Sequence, residues 1–434
     1  MPGRVREWPA WPEFGNVSDT SDDPDCRSAK QAIIDEYGAE NLKQSWIAVC
    51  DRLKEVTDDI ACRGNEIIPT ISAEHVIQNG FTAEEVATIK QTGCLVIRGV
   101  IPQTETNELY RDLTQYIADN RPQVKGWPKE TPSIMMLYNT PTQNALRTHP
   151  NQLAVQRRLN ELWHDAAGKT SQDPLIYLDA LRDRPPQQPF LGLGPHIDAG
   201  SLCRWADPQY RKVYEKVFSG QPEAHDGWDL GARMDANQDL FPGSAHSTVL
   251  RTFQGWTALT RTAPNEGTLL LVPNLPATLA YMLLRPFFKP PEDPSRVMDA
   301  AEWTLDTGAV FPGTMKPQSQ RLSRSSHPHL RLEETLVHIP EMMPGDTVWW
   351  HTDVCHAVDP IHEGKGHAAV AYIAACPTTP NNKKYVKEQL ESIIAGRVPP
   401  DFFPGPETNE TTFHGYKGHS GISADARKAF GYDL

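Results

Sequence analysis

No stretch of about eighteen apolar residues, the length a membrane-spanning helix needs, occurs anywhere in the chain. The opening residues, MPGRVREWPAWPEF, lack the apolar core of a secretory leader. A soluble protein is expected. Positive charge is also short: 42 Lys and Arg face 55 Asp and Glu, a formal net charge of −13. Gripping a phosphate backbone requires the opposite balance, so neither nucleic acid nor a membrane is expected as a partner. Cysteine is sparse and poorly arranged for scaffolding. The seven are widely spread, odd in number and without a CxxC pair. That argues against a disulfide framework or zinc knuckle and for a reducing, cytoplasmic setting. Glycine, at 29, is outnumbered by 38 prolines, and so many prolines interrupt helices too often for an all-helical bundle.

What is present is a 434-residue chain with 39% hydrophobic and 22% charged residues, enough for one large decorated domain. No internal repeat or low-complexity linker divides it. Residues 1–27 are rich in Pro, Asp and Ser and carry no period that would bury a face, so a mobile arm is expected. Over 28–92, Trp46, Val49, Leu53 and Val56 recur at helical spacing. Thr82, followed three residues later by Glu85, makes a capping box for a helix that Gly93 can stop, and the segment reads as a helical extension.

The run CLVIRGV from Cys94 reads as a strand, and Leu109, Leu113, Tyr116 and Ile117 form the stripe of a following helix. From about 175, short apolar runs separated by Pro and Gly succeed one another: LIYLDAL, PFLGLGPHID, GWTALT, GTLLLVP, TLVHIP, DTVWWH and HAAVAYIAA. They suit the strands of a sandwich or barrel. The core is therefore expected over 93–380, with an inserted helix from Asp207 to Phe218 and a periodless insertion at about 276–330. Val386, Leu390, Ile393 and Ile394 then open a helical tail over 381–434.

The chemistry is concentrated in Gly194-Pro-His-Ile-Asp198. On an extended strand residues i and i+2 face the same side, so His196 and Asp198 can offer an imidazole and a carboxylate to one ion. Spacing alone proves little. With 15 His and 55 acidic residues, about two such triplets arise by chance, and there are two, the other being His351 and Asp353. Company separates them. Downstream, Pro344-Gly-Asp346 turns into a strand, a second short stretch follows, and His356 can return to the same mouth of the fold. The rival triad of His351, Asp353 and a later histidine such as His362 or His367 would crowd within 17 residues and leave His196 unexplained. Two imidazoles and a carboxylate on one face leave open positions that suit non-haem iron(II).

Residues 251–273 (RTFQGWTALTRTAPNEGTLLLVP) and 344–358 (PGDTVWWHTDVCHAV) resemble the two halves of the double-stranded β-helix in phytanoyl-CoA hydroxylase-like oxygenases. In that pattern His356, not His351, matches the distal ligand. HIDAGSLCRW, FQGWTAL, HPHLRLEET and PPDFFPGPE are similar, more closely, to the family called domain of unknown function 1479, over Gly93 to the C-terminus. The resemblance implies an α+β fold with a double-stranded β-helix (jelly roll, cupin-like) core and terminal helices packed on it. It also implies an oxygenase using Fe(II), 2-oxoglutarate and molecular oxygen to oxidise a C–H bond of a small molecule, by hydroxylation, desaturation or ring closure. An amino acid or secondary metabolite is the expected substrate class. By this resemblance alone, Tyr138 and Gln143 are pocket candidates.

The family pattern places an arginine about eleven residues after the distal histidine to hold the far carboxylate of 2-oxoglutarate. Here His367 stands there, with Lys365 nearby, and no arginine occurs over 357–376. Arg251 and Arg204 are the leading substitutes, each able to bring a planar fork to the site, with Lys365 and His367 behind them. Trp205, Trp256, Trp349 and Trp350 are candidates for a substrate pocket, against the commoner fate of tryptophan as core. Two other readings stand: a cupin-like metalloenzyme that does not use 2-oxoglutarate, and a non-catalytic small-molecule-binding protein on the same scaffold.

Overall fold

The structure is a computed structural model that describes residues 2–14, 22–188, 192–198, 201–241, 243, 247–316, 318–402 and 408–434. Parts of two family-like motifs, residues 199–200 and 403–407, lie outside the described residues, as do 15–21 of the expected arm. Within the rest of that arm Val5 and Trp11 are buried, and a helix already runs over Pro24–Tyr37, capped by Asp23. The next helix, Ala39–Arg63, buries Trp46, Val49, Leu53 and Val56 as their spacing predicts. Trp46 stacks on Tyr281 and Phe288 at 5.4 and 4.6 Å, anchoring the extension to the middle of the chain.

The capping box is present: Thr82 accepts from Glu85 N, the Glu85 carboxylate accepts from Thr82 N, and the helix Ala83–Thr92 ends at Gly93 with φ 72°. The strand Cys94–Arg98 and the helix Gln103–Asp119 follow in the expected order. The proposed Asp207–Phe218 helix is two shorter ones, Pro208–Val213 and Glu215–Phe218, broken at Tyr214. In the region read as a periodless insertion, Leu275–Leu284 is a helix in which all residues but Pro276 are buried. A helix apolar on every side shows no amphipathic stripe, which is why no period marks it. The C-terminal helix Pro380–Ile394 buries Val386, Leu390 and Ile393 but leaves Ile394 exposed.

The fold is a mixed α+β arrangement built on two main sheets. In the larger, the strand Thr347–His351 lies between Cys94–Arg98 and Phe253–Ala258, which pairs with Ala368–Thr378, itself paired with Leu181–Arg184, all antiparallel. Every residue of Phe253–Ala258 and Thr347–His351 is buried, so this part of the sheet is covered on both faces. The smaller sheet runs Gln320–Arg321, Leu193–Ile197, His356–Val358, Leu269–Leu271, Val337–His338. The chain passes from the larger sheet to the smaller between His351 and His356, which places the second histidine beside the first. Gly345, at φ 90°, makes the preceding turn, where an added Cβ would meet the Ile101 carbonyl at 2.0 Å.

Candidate metal centre

The strands Leu193–Ile197 and His356–Val358 pair with His196 directly opposite His356. Opposed residues share a face, and Asp198, two on from His196, falls on the same side. His196 Nε2 stands 3.5 Å from Asp198 Oδ1 and His356 Nε2 stands 3.6 Å from Asp198 Oδ2. One ligand atom from each of the three residues lies within 4.8 Å of the others. Ligand atoms about 2.1 Å from a shared ion and at right angles would stand about 3 Å apart, close to the two carboxylate–imidazole distances.

The donor chemistry fits a divalent ion. His196 Nδ1 lies 2.7 Å from Gly194 O and His356 Nδ1 lies 3.0 Å from Val354 O. A carbonyl only accepts, so each Nδ1 carries a proton and each Nε2 is the atom turned to the centre, the lone-pair donor of the neutral ring. Burial, reinforced by the neighbouring His356, lowers the His196 pKa to about 4, keeping it neutral at physiological pH. Burial opposes charge on Asp198, yet His356, His196 and Arg251 outweigh it and hold the carboxylate below its usual range. Neutral imidazoles and a carboxylate are the protonation states a metal ion binds.

A second layer orients the carboxylate. Gln254 Nε2 donates to Asp198 Oδ2 at 2.7 Å, and Gln254 Oε1 accepts from Trp350 Nε1 at 3.2 Å. The Trp350 ring also flanks His356 at 5.1 Å. Two cavities meet at the triad. An inner one of about 190 Å³ lies between the sheets, walled by Arg182, Gln254, Trp256, Trp350 and Tyr372 from the larger and by Leu269, His356 and Val358 from the smaller. An outer one of about 510 Å³ is walled by Trp11, Phe14, Tyr177, Asp179, Arg251, Arg321 and Phe402. His196 and Asp198 border both.

Of the residues expected at the site, His196, Asp198 and His356 come together, and Arg251, Trp256 and Trp350 line the cavities. The others do not line them. Arg204 is buried below Asp198, donating to its backbone carbonyl at 2.9 Å and to Asp353 at 3.2 Å, so its charge is spent. Lys365 is exposed. His367 binds Asp183 at 2.7 Å, and Asp183 projects from its strand opposite to Arg182, away from the inner cavity. Gln143 caps its own helix and donates to the Leu137 and Asp179 carbonyls. Tyr138 packs behind Phe402 at 4.7 Å. Trp205 donates to Leu283 O in the core, and Trp349 is fully buried.

Residues missed by sequence reasoning are Arg182, Gln254, Asp179, Arg321 and Trp11. Gln254 had a usable signal, since it alternates with Trp256 on one strand and must share its face. Trp11 lies against Gly194, whose added Cβ would be 3.2 Å from the Trp11 ring. No local pattern marks that contact.

Fold and site together define a mixed α+β protein with a candidate two-histidine, one-carboxylate metal site between two cavities. The chain belongs to the Gig2-like family, which matches it over residues 22–432. It is 32% identical to the uncharacterized protein YbiU of Escherichia coli (strain K12) over 405 residues, covering 88% of this chain and 91% of that one. Among solved structures it is similar to GlcNAc Inducible Gene 2, GIG2 (DUF1479), from Candida albicans, with TM-score 0.84, 26% identity and coverage of 98% and 90% of the two chains. The hypothetical protein JW0805 from Escherichia coli is similar at TM-score 0.79 and 29% identity, over 96% of this chain and 100% of that one.

Proposed function

We propose that the protein is an iron(II)- and 2-oxoglutarate-dependent oxygenase that oxidises a C–H bond of a small molecule on a double-stranded β-helix core. The observation that carries this reading is the convergence of the His196, Asp198 and His356 ligand atoms where an inner and an outer cavity meet. Such a donor set leaves positions for a bidentate 2-oxo acid and for oxygen. Molecular oxygen would be the oxidant, activated at the bound iron, with 2-oxoglutarate giving up two electrons as it ends as succinate and carbon dioxide and the C–H bond of the substrate giving up the other two.

The chain's own residues supply the rest. The Gly194 and Val354 carbonyls hold the imidazoles in their ligand tautomer, and Gln254 holds Asp198 in orientation. Trp256 and Trp350 give the inner cavity apolar walls. We assign the larger outer cavity to the substrate. Asp179 and Arg251 there carry opposite charges beside Tyr177 and Phe402, which suits an amino acid or another small metabolite bearing both charges. Seven free cysteines, six of them buried, fit a cytoplasmic setting.

Anaerobic iron(II) titration in the presence of 2-oxoglutarate tests the reading through the weak visible charge-transfer band of the chelate. The wild-type protein is expected to develop the band and to release succinate with substrate. His196→Ala and Asp198→Ala are expected to lose both, and persistence of the band in both variants sinks the triad. One observation favours a second reading, a metalloenzyme that does not use 2-oxoglutarate: Lys365 and His367, the basic residues after His356, do not line the inner cavity. Its signature would be tight metal binding with neither band nor succinate.

A further inference from the structure

We propose that Arg182 clamps the far carboxylate of a 2-oxo dicarboxylate lying in the inner cavity, an inference that rests on the oxygenase reading above. Arg182 is 2% exposed, and among the described residues its guanidinium makes no hydrogen bond or ion pair; its Nε is buried without a partner. Burying a cation without an anion is costly, so an unpaired guanidinium in a cavity wall marks a place where an anion binds.

The other buried arginines of the region differ. Arg184, two residues on, gives its guanidinium to the Asp359, Pro360 and Gln188 carbonyls. Arg204 and Arg233 share Asp353. Arg251 lies over the Tyr177 ring at 5.2 Å, and although burial disfavours its charge, Tyr177, Asp198, Asp179 and Asp401 together favour it more. It borders the outer cavity together with three carboxylates, Asp179, Asp198 and Asp401.

Register sets the reach. On Ala368–Thr378, Val370 pairs with Arg182, Tyr372 with Trp256, and Ala374 with Gln254, the residue that holds Asp198. Alternate residues share a face, and these rows stand about 7 Å apart. Arg182 thus occupies the end of the inner cavity farther from Gln254, two rows away, with Trp256 and Tyr372 between. A bidentate 2-oxo acid at the metal would direct its tail along this wall toward the fork. The strand segment after His356 carries no arginine, but Val370 lies within it, and its partner on the neighbouring strand is Arg182. The guanidinium reaches the cavity from the next strand over.

The test compares 2-oxoglutarate with 2-oxopentanoate, which has the same carbon chain and a methyl in place of the far carboxylate. Equilibrium dialysis against anaerobic cobalt(II)-loaded protein reads the affinity of each. Wild type is expected to prefer 2-oxoglutarate by on the order of 100-fold, the scale of a bidentate charged contact. Arg182→Gln should erase that preference while leaving cobalt affinity and 2-oxopentanoate binding unchanged. Should this variant fail to fold, Arg182→Lys keeps charge and stem but not the fork. It should weaken 2-oxoglutarate about tenfold with no loss for 2-oxopentanoate; equal losses overturn the clamp. A preference that survives Arg182→Gln, or that disappears in Arg251→Gln instead, overturns it while leaving the oxygenase reading intact. Wild-type protein that binds cobalt but neither 2-oxo acid removes the oxygenase reading, and the clamp with it.

Discussion

The chain contains two His-x-Asp triplets of identical spacing, and the structure gives them opposite fates. At His196 and Asp198, the imidazole donates from Nδ1 to the Gly194 carbonyl and turns Nε2 to the site, while the carboxylate side chain keeps 26% exposure toward the cavities. At His351 and Asp353 every polar atom is occupied. His351 Nε2 donates to Gly227 O at 3.1 Å, its Nδ1 accepts from Asp353 N at 3.1 Å, and its ring stacks on Trp163 at 4.7 Å. Asp353, fully buried, is bound twice by Arg233 and once by Arg204. Spacing supplies a candidate, and what fills the remaining hydrogen-bonding capacity decides whether it is a ligand or a strut.

The sharpest way to break this contrast is to remove the two carboxylates separately. Asp353→Ala leaves two arginines buried without an anion and is expected to cost about 3–5 kcal/mol in chemical denaturation. Asp198→Ala, at the open site, should cost far less stability while abolishing metal binding. Equal destabilisation by the two would show that both triplets are structural.

A second comparison uses pH. Burial lowers the His351 pKa to about 3, below its unfolded value of about 6.5. Its contribution to stability is therefore complete above about pH 6.5 and is lost as pH falls toward 3. Asp353, for which burial is outweighed by Arg233 and Arg204, titrates below the usual carboxylate range and acts only at the acid end of that window. His225, His327 and His329 are lowered by burial as well, so His351→Gln should remove one proton's share of the slope of stability between pH 6.5 and 4. An unchanged slope would mean that His351 takes up a proton in the folded state.

Local pattern carried much of the fold and half of the site. The capping box at Thr82, the stripe of Ala39–Arg63 and the turn at Gly345 are written in neighbouring residues, and the His196 and Asp198 pairing needs only strand alternation. The helix Leu275–Leu284 escaped because burial on all sides erases its period. The assignment of arginines failed for a different reason. Whether Arg182, Arg204 or Arg251 faces a cavity depends on pairing between strands far apart in sequence, and nothing within a few residues of Arg204 announces that Asp353 consumes it. Lys365 and His367 lie close to His356 in the chain, yet neither lines the inner cavity.

The smallest expected effect concerns the support of the open triplet. Gln254→Leu keeps volume but removes the donor to Asp198 Oδ2, freeing the carboxylate to rotate away from the two imidazoles. Loss of such an outer-layer bond typically weakens metal affinity about 10–100-fold, and competition with a chelator would read it. The same change leaves Trp350 Nε1 without its acceptor, a separate cost of about 1–3 kcal/mol in stability. Gln254→Leu combined with Trp350→Phe separates the two effects. Stability should recover because no buried donor is stranded, whereas metal affinity should stay low because Asp198 remains unheld. Recovery of both together would mean that Gln254 serves the packing of Trp350 and that Asp198 is oriented by its strand alone.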